Sequence, residues 1–111
     1  MAPVYHLILV KYKAGLSTEE KTRIARACVA LGQQCKHERD GQPYFTVVGG
    51  SNNSKEGLSG PTEHAFVMTF RSNEDRDYYV HQDPTRAKFR AEIIDSLDEL
   101  RIADFEENVF A

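Results

Sequence analysis

The chain has 111 residues and a formal net charge of −3, which suit a single globular domain over residues 1–111. Hydrophobic residues make up 41% and charged residues 28%, which argues against a disordered or collagen-like chain. The weak negative charge argues against a nucleic-acid partner, and the longest apolar run, residues 7–10, is too short to cross a membrane. No basic segment followed by an apolar stretch opens the chain, so we expect no secretory signal.

The two cysteines, Cys28 and Cys35, lie seven residues apart in a predicted helix. A rise of about 1.5 Å per residue separates them by roughly 10 Å, whereas a disulfide needs Cα atoms within about 7 Å. We therefore expect two unpaired thiols that fill the core. Unpaired thiols are typical of a reducing compartment, so we expect a cytoplasmic protein.

The chain begins with a predicted strand and a long predicted helix. Residues 4–12 are rich in strand-forming types and predict the strand. Ser17 and Glu20 have the spacing of a capping box, in which each side chain bonds to the backbone N–H of the other. The helix is predicted over residues 18–37, with one apolar stripe of Ile24, Cys28, Leu31 and Cys35.

The middle of the chain predicts two strands joined by a polar connection. Residues 43–49 read as the second strand, and the glycine-rich stretch that follows, as far as Pro61, reads as a loop. Residues 64–71 predict the third strand. Ser72 then caps a short helix that runs through Tyr78 and Tyr79.

The last third of the chain predicts one more helix and one more strand. Asp83 is placed as an N-cap and Pro84 at the first helical position, where its missing N–H costs nothing. The apolar stripe of this helix is predicted to be Phe89, Ile93 and Leu97. Residues 102–106 predict the final strand, so the order of elements is βαββααβ, an α+β, ferredoxin-like arrangement whose second helix is divided in two.

Both faces of the predicted sheet are apolar. Strand three alternates between one face with His64, Phe66, Met68 and Phe70 and another with Ala65, Val67 and Thr69. The helices of one chain can cover only one face, and an exposed apolar face of this size is uncommon in soluble monomers. We therefore expect a homodimer in which two sheets meet face to face and close a barrel. Each subunit would keep a pocket between its sheet and its helices.

Several segments together resemble a known family. They are HLILVKY at residues 6–12, GGSNNSKEG at residues 49–57, TEHAF and TFRS within residues 62–72, the tyrosines before a proline-opened helix, and Asp104-Phe105. This ordered set is similar to the stress-responsive dimeric α/β barrel family, abbreviated Dabb, over nearly the whole chain. The resemblance implies the dimeric barrel fold, and it implies function less specifically, because one fold hosts many chemistries.

The best-understood activity in that family is that of a plant polyketide cyclase that forms olivetolic acid by an intramolecular aldol condensation, without metal or organic cofactor. The resemblance implies strand histidines at His6 and His64 and a catalytic tyrosine at Tyr78 or Tyr79. The histidine that opens the last helix in the cyclase aligns with Arg86, while His81 lies before the proline. Arginine stays protonated at neutral pH and cannot act as a general base, so that mechanism does not carry over intact.

Each candidate residue also has a purely structural interpretation. His6 and His64 could be buried histidines with satisfied nitrogens, or a proton-transfer pair in one pocket. Only one of the two consecutive tyrosines is expected to face inward on a helix, and periodicity does not choose between them. Arg86 could lie at the surface or bind a substrate carboxylate or enolate. The residues expected to line the pocket are Ile8, Val10, Phe66, Met68, His81 and Phe89.

The leading functional hypothesis is a cofactor-independent cyclase or lyase that acts on a small, ketone-rich, polyketide-like molecule. Neither a phosphate-loop string nor an H-E-x-x-H spacing is present, so we expect no bound nucleotide and no metal. One alternative is a non-enzymatic, stress-associated dimer that binds a hydrophobic ligand or stabilises other proteins. Another is a cofactor-free monooxygenase or a haem-degrading enzyme on the same barrel, although the chain has no tryptophan and no evident haem-ligand motif.

Overall fold

A four-stranded antiparallel sheet carries three helices on one of its faces in the computed structural model, which describes residues 2–111. Met1, the first residue of the expected domain, lies outside the described residues. The elements are β1 (Val4–Tyr12), α1 (Thr18–Gln34), β2 (Phe45–Ser51), β3 (His64–Phe70), α2 (Asn73–His81), α3 (Pro84–Ile93), a 3-10 turn (Ile94–Ser96) and β4 (Leu97–Glu106). The strand order is β2-β3-β1-β4, which confirms the predicted α+β, ferredoxin-like arrangement. Within the described residues, no helix combines the length and the apolar character that crossing a bilayer requires.

The core lies between the sheet and the helices. Strand β1 is central, and its alternate residues point towards the helices, namely Val4, His6, Ile8, Val10 and Tyr12, all of which are buried. Their cross-strand partners on β3 and β4 point the same way, because antiparallel partners share a face. Helix α1 adds Ile24, Cys28 and Leu31 to this layer.

The other face of the sheet is not covered by any element of the described chain. Tyr5, Leu7 and Leu9 of β1 lie there, with Val67 of β3 and Phe105 of β4 as cross-strand partners. Leu9 is 39% exposed and Phe105 is 46% exposed, and the rings of Tyr5 and Phe105 stack at 5.1 Å between centroids. The sheet is therefore apolar on both faces, as the alternation in the sequence predicts.

Helix α1 begins where the sequence predicts and ends three residues early. Ser17 Oγ accepts the N–H of Glu20 at 3.1 Å, but the Glu20 carboxylate binds Arg23 at 2.7 Å, so only half of the predicted capping box forms. The predicted end at residue 37 is wrong, because Cys35 adopts an extended backbone (φ −75°, ψ 124°) while its N–H still bonds to Leu31 O at 2.8 Å. The charged residues that follow form a turn rather than a last helical turn.

The two cysteines are core residues, as predicted. Both are buried and not bonded to each other. Burial raises the pKa of each thiol to about 12, and the carboxylate of Asp83 adds to the effect at Cys35. Neither thiol is therefore a reactive thiolate near neutral pH.

Strand β2 is shifted by two residues from the predicted residues 43–49, because Gly50 and Ser51, which read as a loop, belong to the strand. Gly49 and Gly50 pair with Phe66 and Ala65 of β3. A Cβ atom on Gly49 would lie 2.3 Å from Cδ1 of the Phe66 ring. Gly49 is thus needed where the aromatic ring covers the backbone, and the strand continues through it.

Strand β4 begins at Leu97, five residues before the predicted residues 102–106. A 3-10 turn ends α3, and Leu97 then pairs with Tyr12 of β1 across an irregularity in the register. Leu97 was expected on the apolar stripe of α3, which is wrong, although its side chain is buried in the same core. The exposed Asp98 conceals the start of the strand, because acidic residues are uncommon in strands.

The predicted N-cap of α3 is confirmed and also anchors the core. Asp83 is buried, and its Oδ1 accepts the N–H groups of Thr85 and Arg86 at 2.9 and 3.2 Å. Its Oδ2 accepts the hydroxyl of Tyr44, which lies on the loop before β2. One carboxylate therefore fixes the start of α3 and satisfies a buried hydroxyl at the same time.

We expect Asp83→Ala to lower the free energy of unfolding by about 2 to 4 kcal/mol. The lost cap contributes about 1 kcal/mol, and the unpaired Tyr44 hydroxyl contributes about 1 to 3 kcal/mol. Ser17→Ala, which removes an exposed cap, serves as the control and should cost about 1 kcal/mol or less. Urea unfolding of the three proteins measures the difference, and equal losses for the two variants would contradict this account of Asp83.

Candidate active site

A cavity of about 60 Å³ lies between the sheet and helix α3. It forms because α3 packs mainly against α1 and none of its residues is fully buried, so the helix does not close down on β1 and β4. The residues that line the cavity are mostly apolar, and they are His6, Ile8, Val10, Tyr12, Ile24, Cys28, Phe66, Tyr79, Arg86, Phe89, Arg90, Ile93, Ile94, Leu97, Leu100 and Ile102.

The cavity adjoins an outer groove of about 330 Å³ beside helix α2. The two spaces share three lining residues, His6, Arg86 and Ile102. The groove also contains Arg76, Asp77, Val80, His81 and Asp104. His6 and Arg86 therefore stand at the boundary between an apolar interior and a polar entrance.

His6 is held by an acidic residue on the neighbouring strand. The register of β1 and β4 places Asp104 opposite His6, and His6 Nδ1 donates to Asp104 Oδ1 at 2.7 Å. Asp104 Oδ2 accepts from Arg76 Nη1 at 2.9 Å. Burial lowers the pKa of His6, and the carboxylate of Asp104 opposes this shift without cancelling it. The imidazole is therefore neutral at pH 7.

The other nitrogen of His6 is available for proton transfer. Among the described residues, every fully buried side-chain nitrogen or oxygen has a hydrogen-bond partner. Nε2 of His6 bonds to no atom of residues 2–111, so it must border the open space of the cavity or the groove. Because Nδ1 carries the proton towards Asp104, Nε2 carries the lone pair. This is the arrangement of a general base with an orienting carboxylate.

Tyr79 and Arg86 lie beside His6. The rings of Tyr79 and His6 meet edge to face at 6.0 Å between centroids, and Arg86 Cζ lies 5.4 Å from the centre of the Tyr79 ring. Burial raises the pKa of Tyr79, and Arg86 offsets only part of the shift, so the phenol stays protonated and can donate. Arg86 Nη1 donates to Val80 O at 3.0 Å.

Only Tyr79 of the two consecutive tyrosines reaches the cavity. Tyr78 is also buried, but on the other side of α2, where its ring stacks on His37 at 4.1 Å and meets Tyr44 edge to face. The expectation that one tyrosine faces inward and the other outward is therefore wrong. Helix α2 has packed neighbours on two sides, and a sequence pattern cannot show which side holds the cavity.

His64 lies outside the cavity, contrary to the expectation that it shares one pocket with His6. It lines a separate groove of about 270 Å³ between α1 and the end of β2. His6 lies on β1, and His64 of β3 pairs with Val10, which is four positions further along β1, or about 13 Å at 3.3 Å per residue. The rings of Phe66 and His64 meet edge to face, and the Phe66 ring borders both spaces.

His64 is linked to the cavity through one hydrogen bond. Its Nδ1 lies 2.7 Å from the hydroxyl of Tyr12, whose side chain lines the cavity. Burial lowers the pKa of His64, and Glu63 opposes the shift. Burial also raises the pKa of Tyr12 to about 12. Both groups are therefore neutral at pH 7, and the hydrogen bond joins the Tyr12 hydroxyl to the neutral imidazole of His64.

The expected lining residues divide into three groups. Ile8, Val10, Phe66 and Phe89 line the cavity, and His81 lines the outer groove. Met68 is fully buried in the core and lines neither space. The sequence interpretation missed Asp104 and Tyr12 as the partners of the histidines, and Arg76 as a partner of Asp104, because those pairs depend on strand register and on a helix position that no local pattern indicates.

The described residues offer no group of three or more histidine, cysteine, aspartate or glutamate side chains that could hold a metal ion. His6 and His64 each bond to a single protein side chain.

Comparison with solved structures shows the same fold in several proteins of low sequence identity. The Arabidopsis thaliana protein At3g17210 is 24% identical, with a TM-score of 0.82 over 97% of this chain and 98% of that chain. A hydroxynitrile lyase from Passiflora edulis is 18% identical, with a TM-score of 0.82 over 99% and 98%. A dimeric ferredoxin-like protein of unknown function from Jannaschia sp. CCS1 is 19% identical, with a TM-score of 0.73 over 94% and 98%.

Sequence comparison adds the family. No curated protein matches the chain by sequence. The family model for the stress responsive A/B barrel domain, Dabb, matches residues 4–107. The match includes every strand and helix described above and leaves out only residues 1–3 and the short tail. The chain therefore belongs to the stress-responsive A/B barrel domain family.

Proposed function

We propose that the protein is a cofactor-independent cyclase or lyase that acts on a small, ketone-rich substrate. The observation that carries the proposal is the meeting of three groups at one cavity, namely a neutral His6 oriented by Asp104, the protonated phenol of Tyr79 and the guanidinium of Arg86. A base, a hydrogen-bond donor and a fixed cation are what proton abstraction next to a carbonyl requires.

The proposed reaction begins with proton transfer to His6. Nε2 accepts a proton from the carbon next to a substrate carbonyl, while the Tyr79 hydroxyl donates a hydrogen bond to that carbonyl oxygen as it becomes an enolate. The enolate carbon then attacks a second carbonyl carbon of the same molecule, and the new alkoxide takes the proton back from His6. Loss of water then completes an aromatic ring. In the lyase reaction the same groups act in reverse and cleave the carbon–carbon bond instead of forming it.

Arg86 has one of two roles in this scheme. It either stabilises the negative charge on the enolate oxygen or orients an acidic group of the substrate. Its position beside Tyr79 suits both roles, since a planar guanidinium binds anions through two parallel hydrogen bonds. Fixed positive charge next to a developing anion, in a site that excludes water, is usually the largest single contribution to catalysis.

His64 has a supporting role in the proposal. Because it lies outside the cavity, it can act on a substrate only through the hydroxyl of Tyr12, to which its Nδ1 is hydrogen-bonded at 2.7 Å. We propose that His64 orients the Tyr12 hydroxyl towards the cavity wall. Proton abstraction belongs to His6, which borders the cavity directly.

The size of the cavity limits the substrate. At about 60 Å³ it is smaller than the roughly 150 Å³ of an apolar protein cavity that binds benzene. A polyketide-like chain would therefore place its reacting carbons in the cavity and the remainder in the outer groove beside His81. Similarity of fold to a hydroxynitrile lyase is compatible with a compact substrate as well.

The alternative proposal is a ligand-binding dimer without catalytic activity, which could also stabilise other proteins. Two observations favour it, the small volume of the cavity and the placement of His64 in a separate groove. It differs from the enzyme in one measurable respect: a ligand would bind in the cavity and leave chemically unchanged.

We also propose that two chains associate through the uncovered face of the sheet. The exposed Leu9 and Phe105 lie there with Val48, which is 65% exposed, and burial of apolar surface contributes about 25 cal/mol per Å². The structurally similar Jannaschia protein is described as dimeric. Two buried free thiols are compatible with a cytoplasmic location, which belongs to the same proposal.

Turnover of a linear triketone with methyl ends, which closes to a dihydroxytoluene on losing water, tests the proposed enzyme. His6→Gln should lower kcat by about 10²- to 10⁴-fold, and Tyr79→Phe or Arg86→Ala by about 10²- to 10³-fold. Tyr78→Phe, the matched tyrosine variant, should retain wild-type turnover because its hydroxyl lies away from the cavity. If the His6 and Arg86 variants form product as fast as the wild type, the assignment of these residues to catalysis is wrong. If the wild type binds the triketone but forms no product, the ligand-binding alternative is favoured.

We expect Asp104→Asn to lower the pKa of His6 further. In the wild type, burial lowers this pKa from 6.5 and the carboxylate partly restores it, so removal of the carboxylate leaves burial less opposed. His6 binds a proton more readily in the unfolded chain than in the folded protein, where its pKa is lowered. The free energy of unfolding should therefore fall as the pH drops below 6.5. NMR titration of the His6 ring measures the shift, and an unchanged or higher pKa in the variant would contradict the pairing.

Light scattering after size exclusion should give a mass of two chains for the wild type. Leu9→Glu should give single chains, because a charge in the centre of the uncovered face would be buried against its own copy. Leu58→Glu, which changes a leucine that is 83% exposed on a loop, is the matched control and should remain dimeric. A monomeric wild type, or a dimeric Leu9 variant, would rule out this interface.

A further inference from the structure

Arg86 is a half-buried cation whose hydrogen-bonding capacity is mostly unused. A guanidinium has five N–H donors; Val80 O accepts one of them, and the Tyr79 hydroxyl lies close enough to take up another. In the part of the chain that the structure describes, Arg86 forms no ion pair, whereas the nearby Arg76 contacts the carboxylates of both Asp77 and Asp104. Removing a charge from water without a counter-charge is unfavourable, so an anion at this position would be stabilised.

The surroundings of Arg86 supply no such anion. Among the described residues, those that line the cavity include a second cation, Arg90, and no carboxylate. The acids of the outer groove are already bonded, since Asp104 accepts from His6 and Arg76, and Asp77 accepts from Arg76 at 2.7 Å. The open donors of Arg86 therefore have no carboxylate partner among the described residues that line the two spaces.

The space behind Arg86 is apolar and short. The cavity walls are aliphatic and aromatic side chains such as Ile8, Phe89 and Ile93, and the volume is about 60 Å³. Because a cavity of roughly 150 Å³ holds the six carbons of benzene, we expect this smaller space to hold a tail of about two to four carbons.

We propose that the cavity takes short amphipathic carboxylic acids, with the carboxylate bound to the guanidinium of Arg86 and the apolar tail inside. The inference rests on the proposed function in one respect, because it specifies which group of the ketone-rich substrate Arg86 holds. The carbonyl of a short keto acid would then lie towards Tyr79 and His6, and the substrate class is a small keto acid rather than a neutral ketone. The carboxylate stays unchanged in the reaction.

Calorimetric titration of the full chain with butyrate and with its neutral isostere butyramide tests this inference directly. Butyrate should bind about ten- to a hundredfold more tightly, since a hydrogen bond to a charged group contributes more than one to a neutral group. From acetate through propionate to butyrate, affinity should rise about fourfold for each buried methylene, and it should stop rising in longer acids that exceed the cavity. Equal binding of acid and amide would overturn the inference.

Arginine variants identify the bound cation. Arg86→Gln should abolish the preference for butyrate over butyramide, and Arg86→Lys should retain part of it, because a lysine keeps the charge but loses the planar fork. Arg26→Gln, which removes an arginine from the groove on the other side of α1, is the matched control and should bind butyrate like the wild type. If Arg86→Gln and Arg26→Gln retain the preference equally, the inference is overturned. A reduced preference in Arg86→Lys, which keeps the charge and the long side chain, separates loss of recognition from loss of folding.

The outcome is separable from that of the proposed enzyme. If short acids bind through Arg86 but neither ketones nor keto acids are converted, the carboxylate site stands and the catalytic proposal fails. If the neutral triketone is converted and butyrate binds no better than butyramide, the catalytic proposal stands and the carboxylate site fails.

Discussion

The antiparallel register between β1 and β4 is the constraint on which the site depends. It sets Asp104 opposite His6, and it sets Ile102 and Leu100 opposite Ile8 and Val10 on the same face. A slip of one residue would turn Asp104 to the outer face and bring Phe105 inward, because side chains alternate along a strand. His6 would then be buried without its carboxylate, and the cavity would lose its polar end.

Helix α3 completes the site because it does not close on the sheet. Its start is fixed by Asp83, which also accepts the hydroxyl of Tyr44 in the core, so the same carboxylate sets the position from which Arg86 extends. Its remaining residues stay partly exposed and pack against α1. An unfilled volume in a core costs stability, so a space with a histidine, a tyrosine and an arginine at its rim is better explained by a ligand than by packing.

Much of the fold could be predicted from the chain, because its signals are local. The caps at Ser72 and Asp83 and the alternation in β1 and β3 place most elements, and the ordered motifs place the family. Two features could not be read in this way. Strand β2 continues past Gly49 through Gly50 and Ser51 because both pair with β3, and the start of β4 is set by its pairing with Tyr12.

The site was harder to predict than the fold because it depends on distances between elements. Alternation places His6 and His64 on one face, but it does not show that they lie towards opposite ends of the sheet, on β1 and β3, with Phe66 between their spaces. The partner of His6 comes from a strand nearly a hundred positions later, where Asp104 reads as an exposed acid. The choice of Tyr79 over Tyr78 likewise depends on which side of α2 holds the cavity.

The central claim is that His6 abstracts a proton next to a carbonyl in this cavity, and isotope exchange tests it without knowledge of the natural substrate. A small β-diketone in deuterium oxide loses the NMR signal of its acidic methylene as protons are replaced. Wild-type protein should accelerate that loss above the buffer rate, and an equal amount of the His6→Gln protein should not. An equal rate with both proteins, or no acceleration by the wild type, would contradict the claim.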